Sequence, residues 1–209
     1  MKVEMWMDFI CPYCYLGKAK FEKAFENFSK KENLEIIYKS FELNPNASKV
    51  YHGTMSELLS KEYGLPIEKV QEKNEKLTIE VKELGLVYNF EKAIPVNTFC
   101  AHRLLQYSKE IGKEAELVNT IFKAYFIEGK NISDIDILVE ISKEAGLDEE
   151  VRKILNSDKY TDRVREDENE SQNIGVDVVP FFLINKKYTV AGDQSKETIK
   201  KALEKALIK

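Results

Sequence analysis

The chain has 209 residues, which allows one large domain or a small domain carrying an insert. Hydrophobic residues make up 43% and charged residues 33%, a balance that supports a sizeable core and excludes a disordered chain. A formal net charge of −4, with no dense Lys/Arg cluster, argues against a nucleic-acid partner. The first residues already read as strand, without a basic and apolar leader, and no apolar run reaches membrane-spanning length. A cytoplasmic protein with no membrane partner is therefore expected, with a processed secreted form as the alternative. Three cysteines are too few for a disulfide framework, and the odd count leaves one over.

Val3, Met5 and Met7 alternate as a strand does, and they lead into Asp8-Phe9-Ile10-Cys11-Pro12-Tyr13-Cys14-Tyr15-Leu16-Gly17. Phe21, Phe25 and Phe28 then fall on one helical face. A Cys-x-x-Cys at a strand-to-helix junction places the first thiol beyond the helix N-terminus. There, unpaired N–H groups and the helix dipole favour a thiolate. Pro12 suits the first helical turn, where its missing N–H would have had no partner. Helical steps back from Phe21 put Cys14 on the inward face. The expected pair is an exposed, reactive Cys11 and a sheltered Cys14 behind it, the asymmetry that dithiol–disulfide exchange needs.

Residues 34–42 alternate imperfectly through Ile36, Tyr38 and Phe41 and read as a second strand, ended by Pro45 and Asn46. From Thr54 to about Ile174 the pattern is helical almost throughout. Thr54 with Glu57 forms a capping box. Pro66 opens a long helix whose Ile67, Val70, Leu77, Val81 and Leu84 share a face, and Gly85 stops it. After an extended segment over 86–95, Asn97 caps a helix with Ala101, Leu104, Leu105 and Ile111 inward. The next helix runs over about 113–128. Ser133 caps one with Ile137, Leu138 and Ile141 inward, and Asp148 caps a short one through Val151 and Leu155. The charged run 160–172 reads as a solvated helix face. Strand chemistry returns at Val176, and 178–184 is a buried strand with a proline near its start. Asn185-Lys186 forms a turn into a strand over 188–191, although Lys is poor at the second position of a type I′ turn. Ile199, Leu203 and Leu207 mark a closing amphipathic helix.

The order strand, Cys-x-x-Cys, helix, strand, helical insert, proline-led strand, strand, helix resembles a thioredoxin fold, an α/β fold, with a large helical insertion. Residues 1–45 and 175–209 form the thioredoxin-like domain and 46–174 the insert. Further stretches strengthen the likeness: Phe41-Glu42-Leu43-Asn44-Pro45, Asn97-Thr98 with Ala101-His102-Arg103-Leu104, Ala124-Tyr125-Phe126 with Glu128-Gly129, and Val179-Pro180-Phe181-Phe182. With the Asp8 to Gly17 stretch, they resemble the DsbA-like oxidoreductases of the FrnE subfamily. That resemblance implies a thiol–disulfide oxidoreductase with Cys11 as the attacking thiol and Cys14 as the resolving thiol. It implies a cis-proline at Pro180 facing them, with the Val179 backbone pairing with a bound peptide or thiol tripeptide. Pro12, Tyr13, Val179 and Pro180 are thus the candidate substrate-positioning residues. Protein or small-molecule disulfides and thiols are the expected partners. No cofactor is expected beyond the Cys11–Cys14 pair, with glutathione or another low-molecular-weight thiol as the candidate co-substrate. The chain departs from the family pattern at Val178, where Gly is frequent, and at Asp193, where Ala is usual.

Other readings of the same residues exist. A Cys-x-x-Cys is also half of many zinc sites, and here Cys100 and His102 would have to complete it. Two-residue spacing on a helix points them roughly 200° apart, so no metal is expected. Cys100 reads as a small buried apolar residue rather than a third redox partner, His102 and Arg103 as structural, with lining of the site as the alternative, and His52 as incidental. The alternative function is that of the glutathione-dependent isomerases and kappa-class transferases of related fold, which typically carry Ser at the site. A redox-inert binding module is a third possibility.

Overall fold

The computed structural model describes residues 1–26, 34–48 and 53–207; Phe28 and His52 lie outside them. In chain order the described elements begin with β1 (Lys2–Met7), α1 (Pro12–Glu26) and β2 (Glu35–Ser40). Six helices follow: α2 (Met55–Tyr63), α3 (Ile67–Glu83), α4 (Phe99–Glu110), α5 (Glu114–Phe126), α6 (Ile135–Glu144) and α7 (Val151–Leu155). The chain closes with α8 (Thr161–Asn173), β3 (Phe181–Ile184), β4 (Tyr188–Ala191) and α9 (Lys196–Leu207). Contacts divide it into two compact units, Met1–Leu43 with Thr161–Lys209, and Asn44–Tyr160.

In the first unit the sheet order is β2-β1-β3-β4. β1 runs parallel to β2 and antiparallel to β3, so its central position explains why Val3 to Met7 are all buried. The period of two along β1 and β3 sends side chains to two different faces. Met5 lies opposite Phe182, whose ring stacks on Phe21 of α1 with centroids 5.1 Å apart. Trp6 lies opposite Phe181 on the other face, and its indole N–H donates to the Asp167 carbonyl of α8 at 2.9 Å. α9 packs on α1 and on β3 and β4 through the buried Ile199 and Leu203.

The run over 160–172 is more than a solvated face. Val164, Asp167 and Ser171 of α8 are buried. The Asp167 carboxylate accepts from the Ser40 N–H at 2.9 Å and from Lys39 at 2.7 Å, and Arg165 pairs with the buried Glu42 at 2.7 Å. These bonds place α8 with the sheet. The contact boundary therefore falls at Tyr160, whereas the sequence reading set it at 174.

The buried strand expected over 178–184 begins only at Phe181. Pro180 has no N–H for the ladder, and Val178 ahead of it is 43% exposed. The hairpin into β4 has Asn185 and Lys186 at positive φ, 51° and 56°. The Lys186 ammonium is held by the buried Glu4 at 2.8 Å and by Glu170 at 3.0 Å.

In the second unit α4, α5 and α6 enclose a core of Leu104, Leu105, Leu117, Ile121, Phe122, Leu138 and Ile141. The Thr54–Glu57 capping box of α2 is formed in both directions. α6 is capped by Asp134 rather than Ser133, whose hydroxyl turns to Asn131 at 2.7 Å. Ile111 and Leu207, expected inward, are each 36% exposed because each stands at the end of its helix. Arg103 is buried and donates to the carbonyls of Ile154, Ser157 and Lys159, tying α4 to the end of α7. Among the described residues no helix is long and apolar enough to cross a membrane.

Candidate dithiol site

Cys11 ends the loop after β1 and caps α1: its carbonyl accepts from the N–H of Cys14 at 3.0 Å and of Tyr15 at 3.4 Å. Its own N–H donates to the Asp8 carbonyl at 3.2 Å, so the turn is tied on both sides. Pro12 takes the first helical position, where no donor is lost. Tyr13 projects outward, 40% exposed.

The two sulfurs differ less in exposure than the sequence suggested. Cys11 is 4% exposed and Cys14 0%, so Cys11 is the more accessible of two covered thiols rather than an open one. What covers Cys11 is the segment before β3: its thiol donates to the Val179 carbonyl at 3.7 Å. The Val179–Pro180 peptide bond is cis, and the Pro180 carbonyl accepts from the Gly192 N–H at 2.8 Å.

Behind Cys11, the Cys14 thiol shares a hydrogen bond with the Cys11 side chain and receives one from the Asp8 backbone N–H. Burial pushes the Cys14 thiol well above the ordinary thiol range, and the Cys11 side chain adds to the rise. The Asp8 N–H works the other way, while the charge of the Asp8 carboxylate raises the thiol further. That carboxylate is fully buried and accepts from the Leu43 N–H at 2.7 Å. Two sulfurs in contact at a helix N-terminus, one nearer solvent and one strongly protonated, are placed to pass between dithiol and disulfide.

Cys11, Pro12, Tyr13, Cys14, Val179 and Pro180 are all carried by the first unit. Cys100 and His102 both lie on α4 of the second unit. Among the described residues no group of three or more His, Cys, Asp or Glu side chains is arranged to hold a metal. Two residues had no role in the sequence reading. Asp8 stood inside the quoted motif, and a carboxylate at the inner end of an apolar strand was the available signal. Gly17 stood there too, and a glycine within a helical pattern usually has a packing reason. A Cβ added at Gly17 would lie 2.6 Å from Pro180 Cγ. Asp193, unusual against the family pattern, is matched by the buried Lys20 of α1 at 2.6 Å.

Residues 2–204 match the model of the DsbA-like thioredoxin domain. The chain belongs to that family. This DsbA-like domain is 37% identical to a probable DsbA oxidoreductase from Streptomyces coelicolor, with a TM-score of 0.95 over 99% of this chain and 89% of that one. It is 30% identical to the Bacillus subtilis protein YwbO over 96% of this chain and 94% of that protein. It also has the fold of the cytosolic disulfide reductase DsbM from Pseudomonas aeruginosa and of a 2-hydroxychromene-2-carboxylate isomerase. Those matches have TM-scores of 0.65 and 0.73 at 15% and 18% identity, and both cover almost the whole chain.

Proposed function

We propose that this DsbA-like domain is a thiol–disulfide oxidoreductase that acts on protein or low-molecular-weight disulfides in the cytoplasm. The observation that carries the reading is the stack of Val179 carbonyl, Cys11 sulfur and Cys14 sulfur, with only the first sulfur at the rim. In the cycle, the Cys11 thiolate attacks one sulfur of a substrate disulfide. A Cys11–substrate disulfide forms and the other substrate sulfur leaves as a thiolate that takes up a proton. Cys14 then loses its proton and attacks the Cys11 sulfur, which expels the second substrate thiolate. Two electrons pass from the cysteine pair to the substrate, and the Cys11–Cys14 disulfide remains. Glutathione or another low-molecular-weight thiol would reset the pair through the reverse sequence, two thiols being oxidised to one disulfide. Tyr13, Pro12 and the Val179 backbone would position the substrate. No metal or bound cofactor enters the cycle. The sheltered second cysteine favours this reading over glutathione-dependent isomerisation, which has no use for a resolving thiol.

The test uses three variants and a disulfide substrate. Cys14→Ser should accumulate mixed disulfides, because attack proceeds and resolution cannot. Cys11→Ser should lose both turnover and trapping, and Cys100→Ser should retain both. A Cys11→Ser protein that reduces disulfides at the parent rate would sink the proposal.

A further inference from the structure

Gly17 lies in the interior of α1, three residues after Cys14 and so one turn beneath that sulfur on the same helical face. Helix propensity does not account for it, since Ala is the better helix former at an interior position. Its surroundings do. A methyl group at Gly17 would stand 2.6 Å from Pro180 Cγ, 3.4 Å from Pro180 Cβ and 3.8 Å from the Phe182 ring. We propose that Gly17 is a positioning residue: its bare Cα seats the Pro180 ring against α1 and thereby sets the gap between Cys11 and Val179 for a disulfide carried on an extended polypeptide. The inference rests on the thiol–disulfide reading above and adds a determinant of its substrate class.

The direction of any displacement follows from what is fixed around the seat. α1 cannot retreat readily, because Phe21 stacks on Phe182 with an interplanar angle of 8° and Lys20 is paired with Asp193 at 2.6 Å. The chain after Pro180 is fixed as well. Its carbonyl is bonded to Gly192, and Phe181 is in register with Trp6 on one side and Ala191 on the other. Before Pro180, Val178 and Val179 belong to no strand, and Val178 is 43% exposed. A side chain at Gly17 therefore drives the shift into Val179, whose carbonyl faces the Cys11 sulfur at 3.7 Å. A peptide laid along Val179 needs that backbone in place. A small disulfide needs only access to the sulfur.

The experiment compares Cys14→Ser with Gly17→Ala,Cys14→Ser, timing mixed-disulfide formation with two probes, a dye-labelled peptide disulfide and 2-hydroxyethyl disulfide. Gly17→Ala should slow the peptide reaction about tenfold while the small disulfide stays within about twofold, the pattern of a misplaced binding element rather than a damaged nucleophile. No loss with either probe, or an equal loss with both, overturns the proposal. Backbone amide spectra of Gly17→Ala decide the seat without any turnover. Shifts concentrated at residues 178–182 support it, and shifts along α1 that leave 178–182 unmoved overturn it. If Cys14→Ser itself traps neither probe, the oxidoreductase reading falls, and the spectra still judge Gly17. Should Gly17→Ala not fold, Gly17→Ala,Pro180→Ala, which lacks the ring carbon that the methyl meets, is compared with Pro180→Ala alone, and the two should be equally stable in urea. A double variant that fails to fold where Pro180→Ala folds overturns the proposal.

Discussion

Cys14 shows how one residue's surroundings define its chemistry. The motif spacing placed it inward, and the structure adds the contacts that make it hard to ionise: complete burial first, then the Cys11 side chain. A thiol whose folded value is raised contributes stability that is fully present below the unfolded value, about 9. That contribution is lost as pH rises from there towards the folded value, because the unfolded chain releases its proton first. The reduced protein should therefore lose stability above about pH 9 more steeply than Cys14→Ala does. Urea midpoints of both proteins between pH 7 and pH 10 in a reducing buffer would measure this. Parallel pH profiles would mean that Cys14 is not buried as a protonated thiol. The other site cysteine was legible in type and position but not in exposure, because the segment that covers it arrives from more than 160 residues away in sequence.

At the scale of elements, α8 and the β3–β4 turn are where charge patterning misleads. A stretch such as Asp162 to Glu170 looks solvated because its partners are distant in the chain. Lys39, Ser40 and Glu42 come from β2 and the residues after it, and they meet α8 only through the fold. The Asp167 side chain is 6% exposed, and removing it takes away the carboxylate that accepts from the Ser40 N–H and that pairs with Lys39, while the Lys39–Glu170 pair remains. Asp167→Ala should cost about 3 kcal/mol, the scale of breaking one side of a buried pair. Urea unfolding would show it, and a loss under about 1 kcal/mol would mean that water screens the pair. Around this network, burial opposes ionisation of Glu170, yet hydrogen bonds from Lys39 and Lys186 hold its carboxyl below the usual range. Stability drawn from Glu170 is thus present at neutral pH and is lost as pH falls through its lowered folded value.

Over the whole molecule, each compact unit has its own core and its own buried polar anchor. In Asn44–Tyr160 the anchor is Arg103, which serves three carbonyls after and within α7. Arg103→Met keeps an apolar stem in place of the aliphatic part of the side chain and removes every donor. It should cost about 3 kcal/mol, since the carbonyls it served are left without that donor. Native-state hydrogen exchange should register the loss first in α4 and α7, while the amides of β1 and β3 keep their protection. Uniform loss across the sheet would show that the units do not unfold separately.

What this sequence determined by itself is local. The Cys-x-x-Cys at the mouth of α1, the capping box before α2, the Gly85 stop after α3 and the alternation of β1 all depend on neighbours within one or two turns, and all are found. The order of elements, with the family motifs, carried the likeness to a thioredoxin-like fold with a helical insertion, and β1 and the proline-led strand, from opposite ends of the chain, pair in the sheet. Tertiary structure alone decided which thiol is covered and by what, that α8 lies with the sheet, that Lys186 is held by Glu4, and that Gly17 is a seat for Pro180. The physical reason is the same in each case. Burial and pairing are relations between residues far apart in the chain, and only the packed fold brings their atoms within range.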